Sequence, residues 1–149
     1  MKILIGLLAL GLVICIHELG HFFAARLCGV EVETFSVGWG PVLFRRKKGK
    51  TEYRVSALPI GGYCGMKGEH AFAEAIEKNL DEVPRESGSF FAAHPGKRII
   101  IAFAGPFANL VFAAIALAFV SAAGSSWRTV MVLNVGWPAE DDGAHPRAP

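Results

Sequence analysis

The sequence predicts an α-helical integral membrane protein, in which two transmembrane helices are joined by a membrane-associated β-hairpin or small sheet and a cytoplasmic connector. Three observations predict it. Of 149 residues, 52% are hydrophobic, more than soluble domains usually carry. Two segments hold the excess: Ile3 to Cys28, apolar apart from His17, Glu18, His21 and Arg26, and Ile99 to Ala123, which has no charged residue. Each exceeds the roughly 20 helical residues that cross a bilayer core. The third observation is charge: eleven of the 15 Lys and Arg residues lie between these segments or at the edge of the second, with Arg45, Arg46, Lys47, Lys48 and Lys50 as one cluster. The positive-inside rule then places the connecting region in the cytoplasm and both termini outside.

The first span covers residues 1–28. Met1-Lys2 and an apolar run also fit a signal peptide, but "HELGHFF" follows Ile16 where a small-x-small cleavage site would stand, so the segment reads as a retained anchor. Gly29 is the expected C-cap.

Residues 29–67 form the β region. "VEVETFSVGWGPVLF" and "TEYRVSALPIGGYCGM" alternate β-branched, aromatic and polar residues in short runs broken by glycine, with the "KKGK" turn between them. Phe35, Val37, Trp39, Val42, Leu43, Phe44, Val55, Leu58, Ile60, Tyr63 and Met66 make its faces too apolar for a solvated loop. The basic cluster can be read as a nucleic-acid patch, but beside a membrane span it sets topology or touches anionic lipid; no nucleic-acid partner is expected.

Residues 68–97 turn polar and read as a connector with one short helix in "HAFAEAIEKNL" and breakers at Pro84, Gly88, Pro95 and Gly96. His70 and His94 fall here and read as exposed and functionless. The second span, 98–123, contains Pro106, tolerated where neighbours satisfy the freed carbonyl. Ala102, Gly105, Asn109, Ala113 and Ala116 recur at helical spacing as a docking stripe, with Asn109 offering an interhelical hydrogen bond. Residues 124–149 are an extracytoplasmic tail that could not bury a core alone. Cys15, Cys28 and Cys64, an odd number without a C-x-x-C pair, read as packing residues.

The chemistry sits in "CIHELGHFFAARLC". His17 and His21 are four apart, so both imidazoles project from one helix face, near enough to share a metal ion. Glu18 is turned away from that face, where it can reach a metal-bound water. In this H-E-x-x-H pattern, zinc lowers the water's pKa to about 7 and the glutamate accepts its proton. Ionisable groups at mid-bilayer cost about 2.5–3.5 kcal/mol each, so three of them call for a use. Haem ligation and metal transport also use paired histidines, but do not ask for the glutamate; a non-catalytic remnant is the remaining alternative. Catalytic zinc sites have three protein ligands. Glu69, Asp81, Glu82, Glu140, Asp141 and Asp142 are the carboxylates weighed for the third, and none is convincing.

"HELGHFFAARLCGVEVETFSVGWGP", "TEYRVSALPIGGYCGMKGE" and "SFFAAHPGKRIIIAFAGPFANLVFA", in this order and spacing, resemble the N-terminal part of the site-2 protease family, RseP-like intramembrane zinc metalloproteases, over roughly residues 3 to 123. The resemblance implies Zn2+ held by His17 and His21, Glu18 as catalytic base, and a multi-pass protein of the inner (cytoplasmic) membrane. It implies that Ile60, Gly61, Gly62 and Tyr63 belong to a β-structure that binds substrate as an added strand, and that Asn109 supports the active site. The implied partners are the lipid bilayer and the transmembrane segment of a membrane-protein substrate, such as an anti-sigma factor. In this family the third ligand is an aspartate in an "N-x-x-P-x-P-x-L-D-G"-like motif on a later helix. "NVGWPAEDDG" matches it only by accident, and "WPAEDDGAHP" is more similar to the opening of the family's PDZ domain. The expectation is a chain truncated before that domain, either an intramembrane endopeptidase by lineage or a non-catalytic membrane scaffold or binding remnant of one.

Overall fold

In a computed structural model of the chain, residues 2–78 and 86–122 are described. Five elements follow in order: α1 (Lys2–Cys28), β1 (Val32–Lys48), β2 (Thr51–Met66), α2 (Glu69–Glu77) and α3 (Pro95–Ala122). The described residues up to Phe112 belong to one compact unit and Ala113–Ala122 to a second. Both H-E-x-x-H and Asn109 lie in the first. α1 and α3 are each long and apolar enough to cross a membrane. With the β-pairing between them they have the parts expected of a membrane protein.

α1 is built from Leu, Ile and Ala with no proline and ends where expected. Gly29 takes φ 80°, and Val30 N donates to Ala25 O at 2.8 Å, closing the helix as a glycine C-cap does. Lys97 Nζ adds a charge-assisted bond to the last carbonyl, Cys28 O, at 2.9 Å.

β1 and β2 are long strands, each bent, and the bends let one stretch of β1 pair on both sides. Phe35 is opposite Cys64 on one side and Tyr53 on the other; Val37 is opposite Gly62 and Val55. Further on, Phe44 is opposite Val55 and Lys48 opposite Thr51. The segments therefore lie side by side in the order 62–66, 32–37, 51–56, 42–48. Gly38, at φ 86°, makes the turn in β1. Pro41 and Pro59 sit where the register breaks, which suits a residue without an N–H. Among the described residues no strand pairs with the outer side of 62–66.

The sheet's inner face lies on α1. Phe22, Ala25, Val30, Val32, Phe35, Cys64 and Ile101 form the buried cluster. Phe22 meets Phe35 edge-on at 5.1 Å, and the Arg26 guanidinium covers the Phe22 ring at 5.5 Å. The expected apolar faces are only partly used: Phe35 is buried, whereas Trp39, Leu43, Phe44 and Leu58 are more than half exposed. Among the described residues nothing covers the far side of this narrow sheet.

Three details go beyond the expectations. The second helix begins at Pro95, not residue 98, because proline at the first helical position has no N–H to leave unpaired. His94 is not idle: its Nδ1 accepts from Gly96 N at 3.2 Å, and its carbonyl accepts from Lys97 N, so it caps α3. The connector also folds back, since Glu31 N donates to Gly88 O and Phe90 N to Lys67 O, both at 2.9 Å. The short helix expected in it is present as α2.

Candidate metal centre

α1 and α3 approach closely because small residues face each other. A side chain at Gly20 would strike the Ala104 carbonyl and the Ala108 methyl. The docking stripe is thereby shifted from the expected one: Gly105 and Asn109 belong to it, but Ala102 is exposed and Ala104 and Ala108 take its place. A helix face advances by 100° per residue, so its neighbour at i+3 serves as well as i+4, and only the crossing decides.

Across this contact lie the two histidines. His17 Nε2 and His21 Nε2 are 3.1 Å apart, with the ring centroids 4.7 Å apart and the planes nearly perpendicular. Both rings are half-buried. The other nitrogen of each is held from α3: His21 Nδ1 donates to Ile101 O at 2.7 Å, and His17 Nδ1 is 3.3 Å from Asn109 Nδ2. Fixing one imidazole nitrogen so that the other is aimed is how metal-ligating histidines are held. Opposite the two Nε2 atoms the wall is bare. A Cβ at Gly105 would come within 2.6 Å of His17 Nε2 and closer still to His21 Nε2. Two convergent imidazole nitrogens with a side-chain-free wall fit a small, borderline-soft cation such as Zn2+.

Glu18 leaves the helix towards the sheet. A Cβ at Gly62 would lie 3.8 Å from Glu18 Cγ, so the carboxylate arm passes under the outermost segment of the sheet. The expected substrate-contacting residues divide here. Gly62 is on Glu18's side. Gly61 packs on the Trp39 indole, whose Nε1 donates to Gly62 O at 3.3 Å. Ile60 is partly exposed, and Tyr63 takes a hydrogen bond from Arg54 at 2.8 Å through its phenol oxygen. Trp39 is the residue that sequence reasoning missed as part of this strand's support; its neighbours Gly38 and Gly40 were the available signal.

Among the described residues no three His, Cys, Asp or Glu side chains group to hold a metal ion. Asp81, Glu82, Glu140, Asp141 and Asp142 lie outside the described residues, as does the tail compared with a PDZ opening. Glu69 is otherwise engaged: its carboxylate accepts from Met66 N at 3.1 Å. Burial raises its pKa, with Glu18 and Glu33 adding to the shift against that hydrogen bond. The buried Cys64 thiol is pushed up to about 12, by burial first and then by Glu18 and Glu69. It stays protonated at neutral pH, as a packing cysteine should and a thiolate ligand should not.

Comparison with known proteins gives consistent relatives. A protein of Treponema pallidum (strain Nichols), provisionally named a zinc metalloprotease, is 60% identical over 128 residues, 86% of this chain and 28% of its own length. A protein of the same provisional name from Borreliella burgdorferi is 45% identical over 124 residues, 83% of this chain and 28% of its own. A third, from Chlamydia trachomatis serovar D, is 40% identical over 147 residues, 93% of this chain and 23% of its own. The chain thus spans about a quarter of the length of these relatives. Residues 5–137 match Peptidase family M50. The family that the ordered motifs resemble is the one matched, and the chain belongs to Peptidase family M50.

Proposed function

We propose that this chain carries the histidine pair, the general base and the substrate-binding edge of a site-2-type zinc metalloendopeptidase that cleaves transmembrane segments of membrane proteins. The observation that carries the reading is the 3.1 Å convergence of His17 Nε2 and His21 Nε2, each ring tethered through its other nitrogen to α3. His17 and His21 would hold the zinc, which when bound supplies Lewis acidity and a water acidic enough to ionise near neutral pH. Glu18 accepts the proton of the attacking water on its carboxylate and passes it to the departing amine. The unpaired outer side of 62–66 offers backbone groups to an extended peptide. Pairing there opens a substrate helix and sets its peptide bonds beside Glu18. A third ligand comes from outside the described residues. α1 and α3 cross the bilayer, with the basic region between them on the cytoplasmic side and "WPAEDDGAHP" starting a PDZ-like segment.

The test is zinc content and cleavage of a model membrane substrate by the purified 149-residue chain. Zinc-dependent cleavage abolished by Glu18→Gln, with zinc retained, is the expected result. Zinc binding without any turnover would leave the second reading, a non-catalytic membrane scaffold descended from such a protease.

A further inference from the structure

Asn109 lies on α3 with Nδ2 3.3 Å from His17 Nδ1, while its Oδ1 is buried without a hydrogen-bond partner. Following the protons around the two imidazoles explains this. Ile101 O can only accept, so His21 carries its proton on Nδ1 and presents a lone pair at Nε2. His17 Nε2, 3.1 Å from that lone pair, is its donor. His17 therefore has a bare Nδ1, which the Asn109 N–H fills. Donors run in one direction, from Asn109 to His17 to His21 to Ile101, and the Oδ1 is left over.

Two histidines sharing one cation cannot keep this arrangement. Both must turn lone pairs inward at Nε2, so the His17 proton moves to Nδ1 and needs an acceptor. A half-turn of the Asn109 amide about χ2 brings the unpartnered Oδ1 to that place. We propose that Asn109 is a positioning residue, a two-way hydrogen-bond partner whose amide sets which nitrogen of His17 is bare and turns over when a cation is captured. The inference rests on His17 and His21 being the metal ligands, as read above. An aspartate at 109 could only accept; a leucine could do neither.

The test uses the 149-residue chain in micelles, with 15N-labelled histidine and Co2+ as the metal probe. In the metal-free protein, His17 should be protonated on Nε2 in the wild type and on Nδ1 in Asn109→Asp. Co2+ should bind Asn109→Leu about 10–100-fold more weakly than wild type, the usual cost of losing a group that orients a ligand, and Asn109→Asp at least as tightly as wild type. The same His17 tautomer in wild type and Asn109→Asp, or equal Co2+ affinity in wild type and Asn109→Leu, would overturn the proposal. The expected tautomer difference between wild type and Asn109→Asp, in a wild-type chain that takes up no Co2+, would instead overturn the metal-site reading, leaving the amide's hold on His17 in place.

Discussion

His21 donates through Nδ1 to the Ile101 carbonyl oxygen at 2.7 Å, a bond between residues 80 apart that turns its Nε2 towards His17. The same contact registers α1 against α3, since Ile101 is itself in the buried cluster. The placement of the imidazole pair and the helix packing are set by one crossing.

Removing either ring should remove the site. His17→Ala and His21→Ala are expected to lower zinc retention by more than the about 10–100-fold that losing an orienting group costs. Zinc per chain after dialysis against a weak chelator measures it, with helical circular dichroism unchanged.

Gly105→Ala tests the bare wall. Its methyl group would occupy the space in front of both Nε2 atoms, so metal uptake should be lost although alanine favours the helix. Uptake equal to wild type would show that the cation approaches from another side.

Gly20→Val places a branched side chain against the Ala104 carbonyl. Overpacking of this kind costs about 1–3 kcal/mol. The cost should appear as a lowered unfolding midpoint in detergent, together with weakened metal binding, because the helices part at the histidines.

Glu69 makes stability depend on pH. Its pKa is raised in the folded chain, so the folded state holds this proton more tightly than the unfolded state. The stabilisation is fully present below the unfolded value and is lost as pH rises through the folded one. Glu69→Gln, which keeps an oxygen for Met66 N, should therefore be more stable than wild type at pH 7.5. The gap should close as pH falls below the ordinary value of 4.5. Chemical unfolding at the two pH values measures it.

Trp39→Phe removes the indole hydrogen bond to Gly62 O while keeping an aromatic ring. A bond worth about 0.5–1.5 kcal/mol corresponds to roughly 2–13-fold, expected in KM for a membrane substrate with kcat changed less. Steady-state cleavage assays separate the two.

What the sequence made legible was local. His17, Glu18 and His21 are one helical turn, so spacing alone places them, and the C-cap at Gly29 is a matter of one residue. The partners of those histidines are 80 and 92 residues away, and no periodicity in α3 distinguishes Ile101 or Ala104 from Ala102 as the residue that faces α1. Spacing marked Asn109 as an interhelical hydrogen-bonding residue, and only the resemblance placed it at the active site. The β region was legible as strands but not in its double pairing, which depends on bends at glycine and proline that give no register. The folded-back connector escaped because its hydrogen bonds end on backbone oxygens, Gly88 O, Lys67 O and Ser87 O, which any residue supplies.

The stretch Thr34–Val37, paired on both flanks, acts as an alignment bar. Gly62–Met66 is held against it in a register that turns Cys64 inward to Phe22 and Phe35 and brings Gly62 over Glu18. A slip of one residue would invert every side chain of that segment, drawing Tyr63 into the core and taking Cys64 out. Hydrophobic packing thus penalises misalignment of the outer strand, and the core acts as the gauge that holds Gly62 over Glu18.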